Sequence, residues 1–149
     1  MCCRGDTRKI TSVEALARWT DPTLGPISPE LFISIAEDAG LIDRLGQQVL
    51  RKACLAACRW PEDIRIAVNL SPRQFYSKNL VEDILEVLAE TGLAHNRLHL
   101  EVTENLMISN AEEALEQLRA LQDHGIQISI DDFGIGYSSL SYFQKFSFN

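Results

Sequence analysis

The 149-residue sequence has no long run of apolar residues, and no apolar stretch follows its first few residues. A membrane-spanning helix needs about 20 mostly apolar residues in succession, and a secretion signal needs an apolar core near the start, so neither is predicted. We therefore expect a cytoplasmic protein. Its four cysteines are then expected to be reduced thiols rather than a disulfide framework. Cys54 and Cys58 share one helix face, where apolar neighbours favour packing over zinc binding.

The sequence also lacks a basic stripe, a low-complexity segment and a Ser/Gly linker. Its formal net charge is -7, with acidic and basic residues interspersed, which argues against a polymeric nucleic acid as partner. A small anionic ligand is compatible with this charge, because a bound divalent metal reverses the local sign of the field. With 46% hydrophobic and 23% charged residues, the composition indicates one globular domain over residues 1–149.

Strand and helix patterns alternate along the chain. Period-two and short apolar patterns predict strands over residues 9–17, 64–70, 97–103 and 126–131. Helical spacing predicts helices over residues 29–38, 42–59, 80–90 and 111–123, a last helix from about residue 138, and a turn-rich loop over residues 20–29. This alternation implies an α/β fold with parallel strands and right-handed crossovers, in an open sheet or a (β/α) barrel.

Each predicted strand carries one oxygen-bearing side chain at or near its carboxyl end: Glu14, Asn69, Glu101 and Asp131. Side chains alternate along a strand, so the aliphatic neighbours lie on the opposite face, where helices should cover them. In a barrel the ligand face is the interior, and side chains from different strands converge at its C-terminal mouth. Three carboxylates and one amide suit Mg²⁺, Mn²⁺ or Ca²⁺. The alternative for any one acid is a helix cap or a solvated side chain; four in matched register favour a metal site.

Two features of the last predicted strand extend this hypothesis. Asp132 directly follows Asp131, and such a pair can serve two metal ions at the short separation used in phosphodiester cleavage. Residues 132–140 form a glycine-bearing loop that leads into the last predicted helix. A capped turn and a functional loop are equally compatible with that pattern.

Several motifs resemble those of the EAL phosphodiesterase family and occur in the family's order. They are residues 13–19 (VEALARW), 29–33 (PELFI), 68–75 (VNLSPRQF), 100–104 (LEVTE) and 131–134 (DDFG). The resemblance runs from about residue 10 to about residue 146. It implies a TIM-like barrel that takes part in bacterial signalling by hydrolysing cyclic di-GMP to linear pGpG with Mg²⁺ or Mn²⁺.

The resemblance also implies roles for individual residues. The metal ligands would be Glu14, Asn69, Glu101, Asp131 and Asp132. Arg18 would contact a substrate phosphate and Leu16 would pack near a guanine. Glu104 would order the loop after Asp132, and with Glu14, Asp131 and Asp132 it completes the catalytic set.

The number of predicted strands indicates a partial barrel. A TIM barrel has eight strands in about 250 residues, whereas four strands are predicted here, and we expect the sequence to begin after the family's opening strand. The family's later Lys-Ile-Asp segment, catalytic glutamate and glutamine have no counterpart in the sequence. We therefore expect the N-terminal part of an EAL domain with an incomplete two-metal site, so enzymatic activity is left open.

Two functional readings follow from that architecture. One is a phosphodiesterase domain that is weak or inactive as this chain; the alternative is a non-catalytic module that binds cyclic di-GMP or a protein. Exposed strand edges and uncovered apolar faces also predict a homodimer or a barrel completed by a partner.

Overall fold

The computed structural model describes residues 2–4, 9–103 and 111–131, with side chains except those of residues 2–4, Tyr76, Ala111 and Asp131. The main sheet has five strands in the order β1-β2-β5-β6-β7. Their bounds are β1 Cys2–Arg4, β2 Lys9–Ala15, β5 Arg65–Leu70, β6 Leu98–Thr103 and β7 Gln127–Asp131. Strands β2, β5, β6 and β7 are parallel, and β1 is antiparallel to β2. Strands β3 (Trp19–Asp21) and β4 (Gly25–Ile27) form a separate hairpin.

Four helices connect the strands. They are α1 Pro29–Asp38, α2 Ile42–Ala57, α3 Leu80–Thr91 and α4 Ala111–Asp123, with 3₁₀ turns at Pro72–Tyr76 and His95–Arg97. Local signals set the helix ends. The Ser28 hydroxyl accepts a hydrogen bond from the Leu31 N–H, and Pro29 occupies the first turn of α1. Helix α3 ends at Gly92, whose φ of 77° is one that glycine adopts without steric cost.

The helices cover one face of the sheet and form a single core with it. Side chains of the central strands alternate, so that Val68, Leu100 and Ile128 face the helices and are almost fully buried. Burial of such an aliphatic side chain contributes about 1.5–3 kcal/mol, which makes this face the main source of stability. The prediction that helices cover the aliphatic face is confirmed, and the architecture is the expected α/β fold with a parallel sheet.

Two parts of the sequence prediction were wrong. A strand precedes Lys9, since Cys2–Arg4 pairs with β2, and the main sheet therefore has five strands rather than four. The predicted loop over residues 20–29 contains the β3–β4 hairpin. Both errors have one cause: strands of three residues are too short to show a period of two.

Two histidines from different parts of the chain are in direct contact. The rings of His95 and His124 lie 6.3 Å apart, edge to face, and His95 Nδ1 lies 2.9 Å from the carbonyl oxygen of His124. This contact joins the 3₁₀ turn before β6 to the end of α4.

The cysteine of α2 that faces the core is packed as predicted. Cys54 is fully buried, which raises the pKa of its thiol to about 12, whereas Cys58 is exposed. The Cys58 Sγ donates to the carbonyl oxygen of Thr91 at 3.3 Å. Among the described helices, none is long and apolar enough to cross a membrane.

A buried arginine links the segment that precedes β5 to the turn that precedes β6. Arg97 is 9% exposed, and its guanidinium donates to the carbonyl oxygens of Ala57, Pro61 and Ile64 at 2.8–3.1 Å. These contacts attach the end of α2 and the start of β5 to the turn before β6. The planar guanidinium has five N–H donors in a fixed fork, which suits several carbonyl groups at once.

We predict that Arg97→Met lowers the free energy of unfolding by about 2–4 kcal/mol, because it leaves buried carbonyl groups without donors. Urea denaturation measures this loss. Arg59→Met is the matched control, since Arg59 is exposed, and should change stability by less than about 0.5 kcal/mol. Equal stability of the two variants would contradict the proposed role of Arg97.

Candidate functional site

The register of the sheet places three of the predicted ligands on the face opposite the helices. Asn69 of β5 pairs directly with Glu101 of β6. Glu14 of β2 pairs with Ala67, two residues before Asn69 and therefore on the same face. The common face that the sequence predicted for Glu14, Asn69 and Glu101 is thus present in the structure.

Glu14 and Asn69 are also in direct contact. The Asn69 Nδ2 donates to the Glu14 Oε1 at 2.9 Å, and both residues are exposed. Because the amide nitrogen is the donor, the carboxylate and the amide carbonyl retain oxygen lone pairs for a further partner. The contact therefore aligns two hard oxygen donors from neighbouring strands.

The remaining predicted residues lie at or beyond the end of β7. Thr103 pairs with Asp131, and Glu101 pairs with Ser129, so the backbone position of Asp131 belongs to the same face. The Asp131 side chain, Asp132, Glu104 and the loop over residues 132–140 lie outside the described residues.

A cavity of about 320 Å³ opens beside these donors. Leu16, Arg18 and Asn69 contribute to its wall, together with residues of α1, of α2 and of the segment after β5. Leu16 is 54% exposed, although it is a large apolar side chain. Arg18 is exposed, and its Nη1 donates to the carbonyl oxygen of Ala17 at 3.0 Å. The cavity therefore offers an apolar contact and a positive charge next to the oxygen donors.

Thr103 lines the same cavity and was not singled out from the sequence. It is two residues after Glu101, so strand alternation places it on the ligand face. Its Oγ1 is shielded from solvent and has no hydrogen-bond partner among the residues that the structure describes. Alternation alone would have identified Thr103 as part of the site.

A polar layer lies below the donors on the same face. His99 Nε2 lies 2.8 Å from Ser129 Oγ, and Arg65 Nη1 donates to Gln127 Oε1 at 2.9 Å. Burial, and then the nearby Arg65 guanidinium, lower the pKa of His99 below its ordinary value, which favours the neutral ring. These pairs link β5 and β6 to β7 through their side chains and support the strands that carry the donors.

The donor set fits a hard divalent cation. Glu14, Asn69 and Glu101 supply only oxygen, as Mg²⁺, Mn²⁺ and Ca²⁺ prefer, and Thr103 adds a shielded hydroxyl. Among the described side chains, no cluster of three or more His, Cys, Asp or Glu residues lies close enough together to bind a metal ion. That result follows from the ligand types, because one of the three aligned donors is an asparagine and the Asp131 side chain is outside the described part.

Comparison with known proteins agrees with this geometry. The chain is 40% identical to the cyclic di-GMP phosphodiesterase NbdA of Pseudomonas aeruginosa over 92% of its length, which covers 18% of that protein. It is 40% identical to the phosphodiesterase PaMucR in complex with c-di-GMP, with a TM-score of 0.87 over 95% of this chain and 59% of that one. Klebsiella pneumoniae BlrP1, in a calcium/cy-diGMP complex, is 29% identical with a TM-score of 0.76, over 95% of this chain and 35% of that one.

The matched region is a small part of much longer proteins. The chain spans about a fifth of the length of the curated relatives that it matches, between 17% and 22%. The family model described as "EAL domain" matches residues 2–149, somewhat more than the motifs alone indicated. The aligned donors, the parallel sheet and this match agree, and the chain belongs to the EAL domain family.

Proposed function

We propose that this chain contributes the Glu14, Asn69 and Glu101 side of a metal-dependent site that binds cyclic di-GMP and hydrolyses it to pGpG. The observation that carries the proposal is the pairing of Asn69 with Glu101 and its hydrogen bond to Glu14. Relatives named as cyclic di-GMP phosphodiesterases, and a related structure in complex with that nucleotide, support the choice of substrate.

Mg²⁺ or Mn²⁺ is the proposed cofactor, held by Glu14, Asn69, Glu101 and Asp131, with Asp131 and Asp132 serving a second ion. The calcium of the BlrP1 complex supports a hard divalent cation. When bound, such ions neutralise the phosphodiester charge and polarise the bond to phosphorus. The hydrogen bond from Asn69 holds the Glu14 carboxylate in place for this task.

The other wall residues have proposed roles toward the nucleotide. Arg18 binds a phosphate, since a guanidinium matches phosphate geometry with paired N–H donors. Leu16 packs on a guanine, which would cover its exposed apolar surface. Glu104 orders the loop after Asp132, as the family resemblance implies.

We predict that the purified chain binds cyclic di-GMP in the presence of Mn²⁺ and that Glu14→Gln weakens metal binding by at least about tenfold. Calorimetry measures both affinities, and chromatography detects pGpG. Glu90→Gln is the matched control, because Glu90 pairs with Arg51 at 2.8 Å on the exposed helix face. Formation of pGpG supports an enzyme, and binding without turnover supports a non-catalytic module. If neither cation nor nucleotide binds, the proposed function is wrong.

We predict that Asn69→Asp destabilises the metal-free protein at pH 7. The variant places a second carboxylate 2.9 Å from Glu14 and raises the pKa of the pair above the unfolded value. The folded state then binds more protons than the unfolded state, so the penalty is present above the raised pKa and is lost as the pH falls through it. Mn²⁺ should reverse the penalty by binding the folded state.

Melting temperatures with EDTA and with Mn²⁺, each at pH 7 and pH 5, test this sign. Asn96→Asp makes the same chemical change at an exposed residue of a 3₁₀ turn and serves as control. A variant that is equally stable at both pH values without metal, and that Mn²⁺ does not stabilise, would contradict the proposed ion site.

We also propose that the chain forms a homodimer or associates with a partner that completes the barrel. Large apolar side chains are about half exposed or more, among them Leu24, Leu31 and Ile35. The sedimentation coefficient of the purified chain should therefore rise with protein concentration. A coefficient that stays at the monomer value throughout would refute self-association.

A further inference from the structure

The segment that follows Asn69 is attached to three different helices. Ser71 contacts Glu37 of α1 through its hydroxyl, which donates to the carboxylate Oε1. Gln74 packs against Gly46 of α2. The carbonyl oxygen of Phe75 accepts a hydrogen bond from Gln117 of α4 at 2.8 Å. Two anchors on the five-residue 3₁₀ turn and one on Ser71, which precedes it, leave this segment little freedom to shift relative to the helices.

Ser71 is the centre of these contacts. Its backbone N–H donates to the Gln74 Oε1 at 2.8 Å, and the Gln74 N–H donates to the Ser71 carbonyl oxygen at 3.0 Å. Its hydroxyl binds Glu37 at the same time. Gln74 is only 7% exposed, so water does not replace these bonds without cost. The two residues therefore form a closed unit that fixes the chain direction after β5.

Gly46 shows how closely this unit approaches α2. A Cβ at position 46 would lie 2.1 Å from the Gln74 Nε2, well inside van der Waals contact. Glycine inside a helix costs about 1 kcal/mol relative to alanine. The close approach of Gln74 explains why glycine nevertheless occupies position 46. Any larger residue would require the Gln74 amide, whose Oε1 accepts from the Ser71 N–H, to move.

The Glu37 carboxylate also lines the cavity beside Leu16 and Asn69. An unpaired carboxylate there would repel an anionic phosphodiester. The Ser71 hydroxyl binds one of its oxygens, and Arg73 Nε lies 3.7 Å from the other, although the Arg73 side chain is 53% exposed and its contribution is screened. The hydrogen bond from Ser71 is thus the stronger restraint on Glu37.

We infer that Glu37, Ser71 and Gln74 are positioning residues that set the location of Asn69 and of the cavity wall. This inference rests on the proposed function, in which Asn69 holds a divalent cation. Only the buried Leu70 separates Asn69 from Ser71 along the chain, so a shift of the Ser71 backbone would also displace Asn69. A displacement of about 1 Å in a ligand or catalytic group can cost about a hundredfold in rate.

The test compares Ser71→Ala, which removes the hydroxyl donor, with Ser71→Thr, which retains it. Gly46→Ala disturbs the same unit from α2 and leaves Ser71 and Glu37 unchanged, although Gly46 and Gln74 also line the cavity. Ser34→Ala, at an exposed residue of α1, is the matched control. The readouts are the affinity for Mn²⁺, the affinity for cyclic di-GMP in Ca²⁺, amide exchange at residues 69–70 and the melting temperature, all measured where every variant is folded.

We expect Ser71→Ala and Gly46→Ala to weaken Mn²⁺ and nucleotide binding by about tenfold, as loss of a supporting residue does at metal sites, and to speed exchange at residues 69–70. Ser71→Thr should restore the affinities to near the wild-type values, and Ser34→Ala should leave them unchanged. A merely structural role would lower the melting temperature and leave the affinities of the folded protein unchanged.

Two failures are distinguishable. If the wild-type chain binds metal and nucleotide and both disruptive variants bind equally well, the positioning role is overturned and the proposed function stands. If the wild-type chain binds neither metal nor nucleotide, the proposed function fails and the positioning role fails with it.

Discussion

The structure depends on the in-register pairing of parallel strands β5 and β6. Because side chains alternate with a period of two, one register sends Val68, Leu70 and Leu100 to the helices and brings Asn69 opposite Glu101. A slip of one residue would bury the polar set and expose the aliphatic set. Burial of the core and alignment of the oxygen donors are therefore the same constraint, and stability of the sheet protects the geometry of the site.

Several separate segments of the chain form the wall of the cavity at the ends of these strands. The residues that follow β2 supply Leu16 and Arg18, the end of β5 supplies Asn69, and the segment after β5 supplies Ser71. Glu14, near the end of β2, accepts the hydrogen bond from Asn69. The side facing the helices is apolar and tightly packed, whereas Glu14 and Asn69 are exposed and Glu101 is half-buried. This division is typical of parallel sheets that carry ligands at the carboxyl ends of their strands.

The sequence predicted correctly the elements that depend on interactions between nearby residues, and it missed short strands that depend on pairing with another strand. Helix α1 was predicted at residues 29–38, where the structure places it, because Ser28 and Pro29 act within one helical turn. Strand β7 was likewise within one residue of its prediction. By contrast, β1 and the β3–β4 hairpin were missed, since strands of three residues owe their existence to pairing rather than to a local pattern. Thr103 was not predicted as a site residue, although the alternation of side chains along β6 places it on the same face as Glu101.

By itself the sequence determined the alternation of strands and helices and the common face of Glu14, Asn69 and Glu101, because both depend on periodicities of the chain. It also determined the family, through motifs that stand in one order. Only the tertiary structure decided that Asn69 donates to Glu14 and that Ser71 binds Glu37, contacts between residues 55 and 34 positions apart. Such contacts arise when strands and helices pack together, and no local period or propensity encodes which distant side chains then meet.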